Sequence, residues 1–473
     1  MRYTSTSYTE SGHLQLVTPA AESDPQRRQQ PTLLVLGAGP KAIAIAAKRA
    51  MMARLGYAVP RVVLIDRLGI AAHWSGDNGF TDGRQLLGTR PEKDIGYPYA
   101  STCWESGALN RKINSEMLLL SWHSFLIDSG GRYADWVDRG GLHPPHRQWS
   151  HYLQWVASKI QPELAVAEVQ KISSSMERWQ LQCAPADGTT EPLTLEGDGL
   201  VITGPGTPLT IEGQPYQHPR VMDGGSFWLH VDEFARSRFS LKKPLTIGII
   251  GIGETAAAII LALLDSLRAQ VFIEVISPYG VLYSRDEGFE ENNLFSDPDG
   301  RSANLYGIHR HQANWLLLSE EDRREFVRRT DRGVFSLHAM EEINRAENVR
   351  SVVGTAQRME ATEDRVIVDT IYGGKTQRDE YDYVIVARGF DALWFTKLMD
   401  AQTYERLAGV TSSLDRRAIE RSIGVDLTVG QFAPRLHLPM LAGVAQGPGF
   451  PNLSCLGLLS DRILSSYGHS ILE

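Results

Sequence analysis

The sequence predicts an α/β protein made of two similar parallel-sheet domains with a helical insertion. Three observations carry that prediction. A Gly-x-Gly-x-x-Ala turn occurs twice, at Gly37–Ala42 and at Gly251–Ala256. Each copy is preceded by a short apolar run of strand length and followed by an apolar helix and a second strand. Each unit is then followed by an antiparallel ribbon and an apolar strand that ends in glycine, so the whole pattern repeats.

The first unit begins at Pro31. Residues 32–36 (TLLVL) read as a buried strand, and 43–55 as a helix rich in Ala, Ile and Met, closed by Gly56 and Pro60. Residues 61–65 (RVVLI) form the next strand, ending at Asp66. The second unit reads as strand 245–250, helix 257–267 and strand 271–276. Residues 179–183 and 193–195 supply the first ribbon and lead into 199–204. Residues 351–353 and 366–371 supply the second and lead into 383–389. Between 289 and 338 the composition turns to Arg, Glu, Asn and Trp, which predicts a helical insertion with a solvated face at 320–329. The polar segment 1–30 reads as a disordered tail.

Such turns have a known chemistry. Gly37 permits a tight exit from the strand, Gly39 lets a pyrophosphate approach the backbone, and Ala42 allows close helix–strand packing. The helix start, with Pro40 in its first turn, offers N–H donors and a partial positive charge. Asp66 is placed to accept hydrogen bonds from a ribose. Gly251, Gly253 and Ala256 repeat these roles. The second unit's strand end carries Ser277, not an acid, which is compatible with a ribose 2′-phosphate and favours NADPH over NADH; Arg285 is the candidate phosphate partner, its alternative being an ordinary surface charge. Two Rossmann-like domains, the first for FAD and the second for NAD(P)H, imply electron flow from nicotinamide to flavin.

Bulk properties narrow the acceptor. The 473 residues exceed one core and require two or three domains. A net charge of −8 gives no electrostatic reason to expect nucleic acid. Three scattered cysteines without a C-x-x-C pair suit a reducing compartment and argue against disulfide reduction. Oxygen is the natural acceptor. No run reaches the ~20 apolar residues of a membrane span, and the N-terminus lacks a secretory pattern, so a cytoplasmic location is expected. The few His clusters lack the spacing of a metal site, so no metal is expected.

At this point the residues resemble a known family, the class B flavin N-hydroxylating monooxygenases typified by ornithine and lysine N-hydroxylases, over most of 31–465. Gly37, Gly39 and Pro40 match its G-x-G-P. Pro145, Arg147, Trp149, Tyr152, Leu153 and Trp155 fit its P-x-R-x-[FW]-x-x-Y-L-x-W signature, the most specific match in the chain. The segment 286–295 is similar to the acidic stretch ending in F-x-N-E-x-F, and Ala387–Phe390 stands where the family has A-T-G-Y. The resemblance implies a FAD domain split between residues 31 to about 220 and about 380 to 473, with the NAD(P)H domain, 221–379, inserted. It implies N-hydroxylation of a primary amine of an amino acid or a close relative through a C4a-hydroperoxyflavin, using NADPH and O2, in siderophore or other secondary-metabolite biosynthesis. It also implies Gln85 over the flavin, Asn292 on an amino-acid carboxylate and Asp331 near the nicotinamide ribose, though these could instead be a loop residue, a helix cap and a turn residue. The family's carboxylate-binding lysine has no clear counterpart; Arg90 and Lys93 are the candidates. The C-terminal segment 447–454 (GPGFPNLS) replaces the family's G-L-S-D-T. The family's tendency to associate makes a homo-oligomer the expectation. The rival readings are a flavin monooxygenase acting on another heteroatom or a carbonyl, and a non-catalytic flavin-binding protein.

Overall fold

The computed structural model describes residues 15–16 and 31–467, apart from 79, 102, 142, 187, 189–191, 212–215, 217, 285–295, 297–314 and 331–332. Two of its three sheets match the two units. In the first, strands Arg435–His437, Gly199–Ile202, Thr32–Leu36, Arg61–Asp66 and Glu163–Ser174 run parallel in that spatial order. Strands Trp179–Pro185 and Leu193–Gly197 continue it antiparallel. The central strand Thr32–Leu36 is buried at every position, as expected of a parallel strand covered on both faces. The helix Pro40–Arg54 packs against Leu456–Ser465 from the far end of the chain. A buried ion pair joins them, Lys48 Nζ to Asp461 Oδ1 at 2.7 Å, with Trp104 Nε1 donating to the same carboxylate oxygen. Within the segment read as a disordered tail, Gln15–Leu16 pair in parallel with Glu163–Leu164.

The second sheet orders Val349–Val353, Val271–Ser277, Leu245–Ile250, Tyr383–Val386 and Val221–Asp223, all parallel. Strands Thr355–Ala361, Val366–Tyr372 and Lys375–Tyr381 form a separate antiparallel ribbon. Two expectations change here. Residues 351–353 belong to a parallel strand of this sheet, not to the ribbon, because Val349–Val353 registers on Ile273–Ser277. The strand Tyr383–Val386 also belongs to the second domain, so the chain returns to the first domain after it and not at about 380. The reason is the repeat itself: the last strand of each half pairs with the first strand of its own half, Gly199–Ile202 on Thr32–Leu36 and Tyr383–Val386 on Leu245–Ile250.

In the region read as a helical insertion, the described part contains the helix Glu320–Thr330, and the helix Leu337–Arg345 begins at its end. Glu320, Arg324, Glu420 and Arg421 form an ion-pair network that docks the first of these on helix Arg416–Ser422 of the first domain. Among the described residues no helix is long and apolar enough to cross a membrane.

Candidate active site

Both turns form as the glycine spacing predicts. Gly37 has φ +111°, and a Cβ there would collide with the Thr203 hydroxyl, itself donating to Leu36 O at 2.8 Å. Gly39 is the opposite case: a Cβ would meet nothing within 4 Å. The helix Pro40–Arg54 starts from Gly39 with Pro in its first turn and no side-chain cap, so its leading N–H groups are left for a ligand. Ala42 is wholly buried. An open cradle before an uncapped helix start fits a dinucleotide pyrophosphate. The Asp66 carboxylate turns back on this loop, accepting from Ala38 N at 3.1 Å, Leu68 N at 2.8 Å and Gly69 N at 3.1 Å. It braces the turn that a ribose would approach.

The second turn repeats the arrangement. Gly251 has φ +130°, and a Cβ would collide with the Ala387 carbonyl. Around Gly253 the nearest atom to a Cβ would be Gly333 N, 4.0 Å away. Helix Glu254–Leu267 starts there without a side-chain cap, and Ala256 is fully buried. This cradle fits a second pyrophosphate.

Between the domains lies a cavity of about 250 Å³. Its first-domain wall includes Trp74, Phe80, Thr81, His146, Asn452 and Ser454. Its second-domain wall includes Gly224, Trp228, Glu254 and Thr255, and Phe390, just beyond strand Tyr383–Val386, adds to the lining. The helix start of the second turn therefore faces the first domain, with the Glu254 carboxylate 3.5 Å from where a Gly88 Cβ would stand.

The P-x-R signature segment is the start of helix His146–Ile160. Trp149, Tyr152 and Trp155 pack with Trp122 and Phe125 in the core, and Tyr152 OH donates to Leu120 O at 2.9 Å. Arg147 Nε donates to Ser75 O at 2.9 Å. The signature thus builds the scaffold that presents His146 to the cavity. His146 Nδ1 lies 3.0 Å from Thr81 Oγ1, and the ring meets Trp74 edge-on at 4.8 Å. Burial pushes its pKa down to about 4, so the imidazole is neutral near pH 7.

The loop expected over the flavin is braced from within. Gln85 donates its side-chain amide to Asp82 Oδ2 at 3.1 Å and its carbonyl accepts from His146 N at 2.8 Å. It does not line the cavity; its neighbours Leu86 to Thr89 do. Arg90 is exposed, 3.7 Å from Glu92, and outside the cavity lining. Lys93 is buried beside Asp94, a fully buried carboxyl raised to about 6 by desolvation. Asp94 accepts from Tyr99 OH at 2.6 Å and Trp122 N at 2.8 Å, a structural task. Arg285, Asn292 and Asp331 lie outside the described residues.

Sequence reasoning missed Lys41, His146 and Glu254, all at unspecified "x" positions of the motifs. Lys41 is buried, and its ammonium donates to Pro451 O at 2.8 Å and Asn452 O at 3.1 Å. It pins the C-terminal segment that supplies Asn452, Leu453 and Ser454 to the cavity. Within that segment Asn452 spends its amide locally, on Pro448 O and Ser454 N.

Comparison with known proteins agrees with this layout. The sequence model of the family described as L-lysine 6-monooxygenase/L-ornithine 5-monooxygenase matches residues 120–392. The chain is 39% identical over 444 residues to the L-lysine N6-monooxygenase MbtG of Mycobacterium tuberculosis, covering 92% of this chain and 95% of that protein. It superposes on the lysine monooxygenase NbtG from Nocardia farcinica with a TM-score of 0.75 at 40% identity, over 91% and 98% of the two chains. The fold is also that of an ornithine N-hydroxylase from Kutzneria sp. 744, described with reduced FAD, NADP⁺ and L-ornithine, at TM-score 0.68 and 18% identity over 93% and 99%. The chain belongs to the L-lysine 6-monooxygenase/L-ornithine 5-monooxygenase family and is a flavin-dependent N-hydroxylating monooxygenase.

Proposed function

We propose that this enzyme hydroxylates the side-chain nitrogen of L-lysine, with FAD at the first turn and NADPH at the second, as a step in siderophore biosynthesis. The observation that carries the chemistry is the placement of one cavity between two dinucleotide cradles. One wall of it is the start of the second cradle's helix; another is the loop that Lys41 ties to the first. The choice of lysine rests on near-full-length similarity to two lysine N-hydroxylases.

Bound FAD, reduced by NADPH, supplies the oxygen-activating chemistry. The protein's own contribution is to bind, orient and keep the site dry. Gly39 and the uncapped start of helix Pro40–Arg54 take the flavin nucleotide's pyrophosphate; Gly253 and helix Glu254–Leu267 take that of the nicotinamide nucleotide. Trp74, Phe80, Trp228 and Phe390 give the cavity apolar walls. An amine enters nucleophilic chemistry only as the free base, and an apolar cavity disfavours its ammonium form. His146, held neutral, adds polarity without adding a positive charge beside the amine.

The test is NADPH oxidation by the FAD-loaded protein against lysine, ornithine, other amino acids and simple diamines, with hydroxylamine detected. N6-hydroxylysine as the main product supports the proposal. Hydroxylamine from another member reassigns the substrate. Oxidised product without hydroxylamine moves the reading to another heteroatom or a carbonyl, and no NADPH oxidation at all moves it to a non-catalytic flavin protein.

A further inference from the structure

His146 opens helix His146–Ile160 on the first-domain wall of the cavity, at the unspecified position of the P-x-R signature. Its backbone is held on both sides. His146 N donates to Gln85 O at 2.8 Å, and Arg147 N donates to Gly83 O at 3.0 Å. The helix is in turn tied to the first nucleotide turn. Ser150 Oγ donates to Ala71 O at 3.1 Å, and Ala71 N donates to Ala38 O at 3.0 Å. The imidazole therefore keeps a set place relative to the Gly37–Ala42 cradle, from which a flavin would reach into the cavity.

The hydrogen bonds of Thr81 decide which ring nitrogen carries the proton. This side chain is buried, and its Oγ1 accepts from Gly83 N at 3.2 Å. A hydroxyl has one proton to give, and a buried hydroxyl gives it to an acceptor. Among the described residues the acceptor in reach is His146 Nδ1, 3.0 Å away. When Nδ1 accepts, a neutral imidazole carries its proton on Nε2. The ring is neutral near pH 7, because burial pushes its pKa down to about 4. Trp74 packs edge-on against it. Among the described residues Nε2 has no hydrogen-bond partner, so what the ring leaves to the cavity is an N–H donor.

The chemistry of the cavity narrows what this donor meets. A free amine that accepted the N–H on its lone pair would be blocked from attacking oxygen. The flavin ring carries its nitrogen and carbonyl-oxygen acceptors on its pyrimidine side, and these gain electron density when the ring is reduced. A fixed donor aimed at them holds the reduced form more tightly than the oxidised one.

We infer that His146 Nε2, its proton set by Thr81, donates a hydrogen bond to the pyrimidine side of the flavin ring and raises the flavin's reduction potential. This rests on the proposed placement of FAD at the first turn and goes beyond it by naming the residue that tunes the ring. His146 touches the cofactor; Thr81 is a positioning residue that acts through it.

The test is the two-electron reduction potential and visible spectrum of the flavin in the FAD-loaded full chain, measured without oxygen, amine or NADPH. His146→Phe should lower the ratio of reduced to oxidised flavin about tenfold at a given potential, the scale of one net hydrogen bond and about 30 mV for two electrons. Its flavin absorption bands should shift as well. His146→Gln, whose amide keeps a donor, should stay near the wild type. Ring-nitrogen NMR of the wild type should show the His146 proton on Nε2, the signals being assigned by their loss in His146→Gln. Thr81→Val removes the hydroxyl at nearly constant volume and should mix the two tautomers. Flavin content and melting temperature identify a variant that misfolds; if His146→Phe does, Thr81→Val carries the test, with a smaller fall in potential expected. An unmoved potential and spectrum, a proton on Nδ1, or an effect confined to the KM for lysine overturns the inference while leaving FAD use intact. Failure of the wild type to hold FAD would overturn the proposed function as well.

Discussion

Gly39→Val is the sharpest probe of the first cradle, because the structure separates folding from ligand binding at this position. Gly39 has φ −85°, which any residue adopts, and a Cβ would meet nothing within 4 Å. The empty protein should therefore accept valine at the cost of a poorer helix cap, about 1 kcal/mol or less. The added methyls would occupy the space in front of the uncapped helix start, where the pyrophosphate belongs. Flavin present at 100 times its Kd stabilises a protein by about 2.7 kcal/mol. At about 2–4 °C per kcal/mol for a domain of this size, that is a rise of roughly 5–10 °C. The assay is a melting curve with and without added FAD, together with the flavin absorbance of the purified protein. Wild type should be yellow and show the rise; Gly39→Val should be colourless, melt near the empty wild type and show no rise. Gly37→Ala is the contrast. It places a side chain at φ +111° against Thr203 and should cost on the order of 1–3 kcal/mol or more in the empty protein. A yellow Gly39→Val protein with an undiminished FAD shift would refute the assignment of this turn.

Lys41→Met leaves the Pro451 and Asn452 carbonyls without their buried donor, a loss of about 1–3 kcal/mol, and should loosen the cavity wall at 452–454. Product formed per NADPH oxidised should fall, and an unchanged ratio would remove Lys41 from any positioning role. Lys48→Met leaves the Asp461 carboxylate buried without its cation and should cost about 3–5 kcal/mol in urea unfolding, with Lys48→Met/Asp461→Leu recovering much of it; equal stability of the single variant and wild type would contradict the buried pair. Stability should also rise with pH between about 4 and 6.5. Burial holds His146 and His437 down at about 4, so in that window the unfolded chain binds their protons and the folded one does not, each contributing up to about 1.4 kcal/mol per pH unit. Asp94, raised to about 6, acts with the opposite sign between 3.8 and 6, because there the folded state holds the extra proton. Burial lowers His73 and His151 as well, so the lowered histidines outweigh Asp94 and leave a net gain with rising pH; His146→Gln should flatten that slope, and an unaltered slope would place the His146 pKa elsewhere.

The legible parts of the molecule were those whose physics is local. Glycine spacing, apolar strand runs and helix starts depend on φ/ψ and on neighbours a few residues away, so both cradles could be read, with Gly37 and Gly251 in positive φ and Gly39 and Gly253 left open. The charge run at 320–329 marked helix Glu320–Thr330, but it could not say that its last turn lies beside Tyr279 and Tyr283. Gln85 and Arg90, chosen by their place along the loop, fall outside the cavity wall; the loop's hydrogen bonds to Asp82 and His146 and the Arg90–Glu92 pair accompany that placement. The strand Tyr383–Val386 was readable as a strand, while its sheet depended on pairing with residues more than 100 positions earlier.

What the amino-acid order determined by itself was therefore the fold class, the two nucleotide turns and the family likeness, because turn chemistry and apolar periodicity are written in contiguous residues. What only the tertiary structure decided was which side chains meet. Lys41 reaches Pro451 across 410 positions, Lys48 finds Asp461, and Glu254 comes to face Gly88 across the cavity. Those encounters follow from how two sheets and their helices pack around a common cavity, and side-chain packing over such separations leaves no periodic trace in the chain.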